Sequence, residues 1–408
     1  MISFEPTEDQ KLMMESVAQF ARTALRPKIR DVEKAGELPE HVRKTAHDLG
    51  LGLAALPEVI GGAGLGLTTA VLLEEEVAWG DSAAPFALGG PAAFGLAACE
   101  LGTEEQARSA LAPFTAEGAH GRFGAVAWGE KKANAERAGF STTATKDGDG
   151  WRLDGAKAYV LNADRAEHFV VFAQVDAAAG WNGLGAFLVD RSAPGLTVTE
   201  RAKTLGLDAA SFGGIELRGV VVPDSARLLG GADFTASLVR FFAKNALLVA
   251  ARGVGLSRAA FEITREYVDT RKAFGKPIGH FQAVAFTVAD RAMDVDASRG
   301  LVWRAAAAWD ALARSEGPEK EALLLTAQAV AFVHEAAMRC GDDGVQLHGG
   351  AGFMRDYPVE KLMRDAKQLA LCGMTAEQAD QLAAAVTLGL PIDPALVLPT
   401  PETQNAFV

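Results

Sequence analysis

At 408 residues the chain is longer than one ordinary hydrophobic core supports, so two or three packed units sharing interfaces are expected. Hydrophobic residues make up 49% and charged residues 23%, a globular composition, and the formal charge of −12 disfavours nucleic acid, whose binding relies on Lys and Arg neutralising phosphates. No apolar run approaches the roughly 20 residues that cross a bilayer, so no membrane partner is expected. The opening MISFEPTEDQ has neither the basic region nor the apolar stretch of a secretory signal, which makes the cytoplasm the expected location. Cys99, Cys340 and Cys372 form no CxxC pair or His/Cys cluster, so neither a disulfide framework nor a metal site is suggested.

The first segment predicts a helix: Thr7 and Gln10 fit a capping box, and Leu12, Met13, Val17, Phe20, Ala24 and Leu25 recur at helical spacing. Helical character continues through Leu72 to Trp79 and Ala83 to Leu101, broken by the glycine-rich PEVIGGAGLGL loop at 57–67. A helical domain over 1–120 follows. From Arg122 the pattern changes to short runs such as FGAVAW, WRLDGAKAYVL, HFVVFAQV, GAFLVD and GIELRGVVV between Gly, Asp and Asn turn signals, which predicts a β domain over 121–232. Long Ala- and Leu-rich helical patterns return at roughly 234–270, 280–315, 318–342 and 357–372, giving a helical bundle over 233–388. Prolines break up the tail, 389–408, which is expected to be irregular. The fold class is therefore α+β, helices then an antiparallel β unit then helices, and not a doubly wound parallel sheet. No GxGxxG sits between strand and helix and no GxxxxGK[ST] occurs, so nicotinamide and ATP chemistry lose support.

Two polar loops stand out. RKAFGKPIGHFQ, Arg271 to Gln282, follows a long helix and carries a Gly and a Pro that force a turn. QLHGGAGFMRDYPVEKLMRDAK, Gln346 to Lys367, holds Gly349, Gly350 and Gly352, which let backbone donors approach a ligand. Taken alone, the first is better read as an ordinary connection with solvated Arg271 and Lys272, and the second is equally well a glycine turn between helices. His348 has no neighbouring Ser, Cys or metal-type His and is given no catalytic role. Trp79, Trp128 and Phe94 are read as core packing.

Together, in this order and separation, the two loops resemble the flavin-contacting motifs of the acyl-CoA dehydrogenase family. The PEVIGGAG loop, the LEEEVAWG helix and the PDSARLLGG turn extend the resemblance over nearly the whole chain, weakening after about Ala379. It implies an N-terminal helical domain, a central β domain, a C-terminal four-helix bundle, an oligomer, and FAD lying between subunits. The residues it implies as cofactor-binding are Arg271, Phe274, Phe281, Gln282, Gln346, Gly349, Gly350, Thr375 and Tyr159, the Arg, Gln and Gly set reaching a neighbour's flavin. The implied reaction takes an α-proton from a CoA thioester with a carboxylate while a β-hydride leaves for the flavin.

The residues of that chemistry depart from the pattern. The family's Glu stands in a Tyr-Glu-Gly-Thr stretch; here the stretch reads LCGMTAEQ and register places Gly373 there. Some relatives carry the Glu on the helix before RKxFG, where this chain has Asn245, and Ala243 and Ala246 stand where an Asp and an Arg are frequent. No catalytic residue is therefore assigned; Glu377, the nearest acid, is displaced in register. The Thr-Glu-Pro-Gly-x-Gly-Ser-Asp loop is replaced by GEKKANAE, Gly129 to Glu136, keeping only Glu130. In the Lys-x-Trp-x-Thr-Asn motif, Lys157 and Asn162 remain while Tyr159 and Leu161 replace Trp and Thr.

What serves a neighbour's flavin is kept, and what forms the chain's own site is degraded. The resemblance thus implies a base-deficient subunit acting on an acyl-CoA beside a Glu-bearing paralogue, with a flavoprotein or oxygen as electron acceptor. The alternatives are a homo-oligomeric flavoenzyme doing oxygenation or elimination, and a scaffold without catalysis.

Overall fold

A computed structural model describes residues 5–131, 139–231 and 233–399. The first helical domain holds α1 (Glu8–Phe20), α2 (Ile29–Ala35), α3 (Glu40–Asp48), α4 (Gly66–Gly80), α5 (Ala84–Ala87), α6 (Ala92–Leu101) and α7 (Glu104–Thr115). The β domain follows with β1 (Gly124–Ala127), β2 (Thr143–Asp147), β3 (Gly150–Leu161), β4 (His168–Gln174), β5 (Leu184–Asp190), β6 (Leu196–Val198), β7 (Phe212–Pro223) and β8 (Arg227–Leu228). The last domain comprises α8 (Phe234–Thr270), the hairpin β9 (Lys272–Ala273) and β10 (Lys276–Pro277), then α9 (Gln282–Ala313), α10 (Glu319–His348), α11 (Val359–Leu369), α12 (Ala376–Leu388) and α13 (Pro394–Val397).

Helix starts are set locally and by distant partners. Thr7 and Gln10 form the anticipated capping box, each side chain bonding the other's backbone N–H. The first turn of α4 has no side-chain cap of its own; Asp310 of α9 accepts from Leu67 N at 2.6 Å and Thr68 N at 2.9 Å, satisfying two orphan donors across the domain boundary.

The strands form one sheet in the order β6-β7-β3-β2-β4-β5-β8, with β1 added on β4. Its ladders are antiparallel except for β1 on β4 and the single Thr143–Gln174 pair of β2 with β4. The long β3–β7 pair shifts register between Ala158 and Val160, and the extra residue, Tyr159, takes φ +56° and points outward.

α8 is the central element, packed against α4, α6, α9, α10 and α11. Length and hydropathy alone would let it cross a membrane, yet most of its apolar window is buried inside the fold, so it is a core helix. Buried ion pairs lock it to α4: Arg258 bonds Glu75 and Glu76, and Arg252 bonds Glu74. A second network joins the domains, where Lys361 Nζ lies 2.9 Å from Asp81 and 2.6 Å from Asp365, while Ser82 Oγ and Leu207 N also donate to Asp365. Burial alone would lower the Lys361 pKa, but the two carboxylates outweigh it and hold the ammonium well above its ordinary value.

The tail is not wholly irregular. α13 leads into Val397 and Leu398, both buried, and the carbonyl of Leu398 accepts from Gln378 Nε2 at 2.8 Å. The Trp128 indole N–H donates to the carbonyl of Pro399. Trp128 packs against Phe140, Phe172 and Phe242 at ring separations of 4.6–4.9 Å, so β domain, α8 and tail share one aromatic cluster.

Candidate active site

The two glycine-containing loops converge at one end of the helical bundle. Tyr267, near the end of α8, stacks on His348, at the end of α10, with centroids 4.1 Å apart, and its hydroxyl donates to the His348 carbonyl at 3.2 Å. That contact brings the loop after Tyr267, with Arg271, beside the turn after His348, with Gly349 and Gly350. His348 itself is buried, its Nδ1 2.7 Å from the Gly344 carbonyl, and burial lowers its pKa. It is a packing residue.

The surface at this end has the chemistry of an anion and ring site. Arg271 is exposed and its guanidinium makes no ion pair or hydrogen bond among the described residues. Phe274 is 96% exposed at φ +51°, and Phe281 stands 6.2 Å from it edge to face. Gln282 and Gln346 are exposed, and β-carbons built on Gly349 or Gly350 would meet nothing within 4 Å. A free guanidinium, an uncovered aromatic ring and open backbone have the chemistry that would suit the pyrophosphate and ring system of a dinucleotide. The Thr375 hydroxyl caps α12, accepting from Gln378 N. Tyr159 is exposed on β3, beside Gly129.

The retained residues of the β domain have structural work. Lys157 Nζ is buried, bonded to Glu130 Oε1 and the Trp128 carbonyl at 3.0 Å each, above the Phe140 ring. Burial outweighs Glu130 and pushes the Lys157 ammonium down to about 8, still charged at neutral pH. Burial would raise the Glu130 carboxyl, but Lys157 and the donors of Thr142 and Ser141 hold it below the usual range. Asn162 donates to the Phe86 carbonyl at 2.8 Å, tying sheet to helices. Of the GEKKANAE loop, Lys132 to Glu136 lies outside the described residues.

The two positions where a base was sought meet in space. A β-carbon on Gly373, whose φ is +82°, would stand 3.3 Å from Asn245 Nδ2. Asn245 in turn lines a narrow, largely apolar pocket between α4, α6, α8 and the loop at 51–56. Leu51, Leu56, Leu73, Leu88 and Leu96 form much of its wall, and the lining carries a single carboxylate, Glu74, already bound to Arg252. Glu377 is exposed, and its own backbone N–H and the Thr375 hydroxyl hold its carboxyl below the usual range, the opposite of what a base working near neutrality needs. The Glu74–Arg252 pair escaped the sequence reading because its members are 178 residues apart; the acidic run 74–76 was its only signal.

Comparison with known proteins agrees with this architecture. The N-terminal, middle and C-terminal domain profiles of acyl-CoA dehydrogenase match residues 7–118, 125–220 and 235–386. The chain belongs to the acyl-CoA dehydrogenase family and is an acyl-CoA dehydrogenase-like FAD oxidoreductase. It is 34% identical to a probable acyl-CoA dehydrogenase, YngJ, of Bacillus subtilis over 92% of this chain and 97% of that one. It is 31% identical to the cyclohex-1-ene-1-carbonyl-CoA dehydrogenase of Syntrophus aciditrophicus, over 89% and 86%. Among solved structures, butyryl-CoA dehydrogenase from Megasphaera elsdenii superposes with a TM-score of 0.85 at 27% identity, covering 95% of this chain and all of that one.

Proposed function

We propose that this chain is the base-deficient subunit of a hetero-oligomeric acyl-CoA dehydrogenase, completing the FAD site of a paralogue that carries the catalytic Glu. The observation that carries the reading is the meeting of Gly373 and Asn245 beside an apolar pocket with no free carboxylate. Bound FAD supplies hydride acceptance; an amide and a glycine supply no proton acceptor for the α-carbon. Arg271, Phe274, Gln282, Gln346, Gly349 and Gly350 would hold the partner's flavin from the exposed end of the bundle. Association would cover Phe274, Phe286, Met293, Phe353 and Leu371, large apolar side chains left exposed here. Electrons would leave for an electron-transferring flavoprotein.

The test is flavin per polypeptide, read by absorbance, for the chain purified alone and after co-expression with a Glu-bearing paralogue. Near zero alone, with flavin and acyl-CoA oxidation recovered in the mixed oligomer, is expected. One FAD per chain in an isolated protein that oxidises acyl-CoA would sink the reading.

A further inference from the structure

Among the pocket-lining residues only Asn245, Glu74 and Arg252 are polar or charged. Asn245 and Arg252 are seven residues apart on α8, almost two full turns, so they share a face with about 10 Å of rise between them. Asn245, one of the two positions where a base was sought, and the Glu74–Arg252 ion pair thus line the same pocket about two helical turns apart. Arg252 is only 7% exposed, lies over the Phe86 ring at 4.4 Å, and donates to Glu74 through Nε at 2.8 Å and Nη2 at 3.2 Å. Nη1 makes no hydrogen bond among the described residues, yet it is absent from the buried side-chain atoms that lack a partner. Nη1 is thus not enclosed, and Arg252 is part of the pocket wall.

We infer that Arg252, held by Glu74, selects the acyl group that binds in this chain's own pocket: the group it reads carries a neutral hydrogen-bond acceptor, a hydroxyl or keto oxygen, at the end remote from the thioester. The inference rests on the assignment of this pocket to the acyl group. A hydrocarbon end would cover the Nη1 donors with nothing to accept from them, which a buried donor penalises. A carboxylate end would meet the Glu74 carboxylate, already in place on the same guanidinium, and like charges at that range repel. A neutral oxygen satisfies Nη1 and leaves the pair intact.

Isothermal titration of this chain purified alone, where no paralogue site contributes, with octanoyl-CoA, its ω-hydroxy derivative and the dicarboxylyl thioester of equal length tests this. The ω-hydroxy thioester is expected to bind roughly tenfold or more tighter than octanoyl-CoA, and the dicarboxylyl thioester weakest. Glu74→Gln removes the counter-charge with little change of shape and should make the dicarboxylyl thioester the tightest of the three. The double variant Glu74→Leu with Arg252→Met, which leaves no charge stranded, should favour octanoyl-CoA. Octanoyl-CoA binding tightest to the unaltered protein, or no gain for the dicarboxylyl thioester in Glu74→Gln, overturns the inference. Failure of all three thioesters to bind overturns it together with the assignment of the pocket. Acyl-CoA oxidation by the isolated chain would instead overturn base deficiency, and the order of affinities would still decide the role of Arg252.

Discussion

Asn245 and Gly373 are 128 positions apart in sequence and neighbours in space: a β-carbon on Gly373 would lie 3.3 Å from the Asn245 side-chain nitrogen. Gly373 also sits at φ +82°, a backbone conformation that costs an L side chain about 1–2 kcal/mol. A glutamate at 373 would therefore strain the backbone and push the Asn245 amide aside by a few tenths of an ångström. On the proposed reading, the position is unsuited to a base through its local geometry as well as through its missing side chain.

Substituting Asn245 separates the readings of function. In the assembled oligomer, Asn245→Ala is expected to leave turnover within about twofold, because general-base catalysis contributes roughly 10²–10⁴-fold and this amide contributes none of it. Steady-state oxidation of an acyl-CoA measures this. A tenfold or larger fall with unaltered flavin content would favour a self-sufficient enzyme with different chemistry. Gly373→Ala should lower stability by about 1–2 kcal/mol from backbone strain, with part of any further loss recovered in the Asn245→Ala background.

Arg271→Ala should weaken flavin retention without unfolding the chain. The guanidinium is exposed and unpaired among the described residues, so its removal breaks no internal contact. A charge-assisted bond to a pyrophosphate contributes about 1.5–3 kcal/mol, so flavin affinity of the mixed oligomer should fall roughly ten- to a hundredfold. Release of flavin fluorescence on dilution reads it. Unchanged retention would remove Arg271 from the cofactor site.

The tail offers a stability test. Leu398 is fully buried and Trp128 donates its indole N–H to the next carbonyl, so Leu398→Ala should cost about 2–5 kcal/mol by the usual cost of a buried leucine cavity. Chemical unfolding measures the loss, and a red shift of tryptophan emission would report water reaching Trp128. A change below about 0.5 kcal/mol would mean that the tail does not dock.

Long segments with one apolar face were legible from sequence alone. The helix anticipated at roughly 234–270 is α8, Phe234–Thr270, and the Thr7 capping box is present as read, because both depend on residues three or four apart. α12 passed without separate notice although Thr375 and Gln378 spell the same capping box that announced α1. The docking of the tail was not legible: prolines exclude a long helix, but whether the remainder packs depends on Trp128, some 270 residues earlier. The same holds for the pocket, since Glu74, Asn245 and Arg252 become a site only when α4 packs on α8. Local patterns fixed elements; chemistry arose from contacts between them.

His334 gives a pH-dependent prediction. It is buried on α10 with both ring nitrogens unpartnered among the described residues, and burial pushes its pKa from 6.5 down to about 4, against a small opposing pull from Glu377. Between those two values the unfolded chain binds a proton that the folded chain does not, so stability rises with pH across the window and is lost as pH falls through it. A shift of that size corresponds to about 3 kcal/mol. His334→Phe keeps an apolar ring and removes the titration. Urea unfolding at about pH 6.5 and about pH 4 should therefore show a loss on acidification that is smaller in the variant by about 3 kcal/mol. Equal losses in both proteins would mean that His334 is protonated in the folded state, with a partner that accepts its proton.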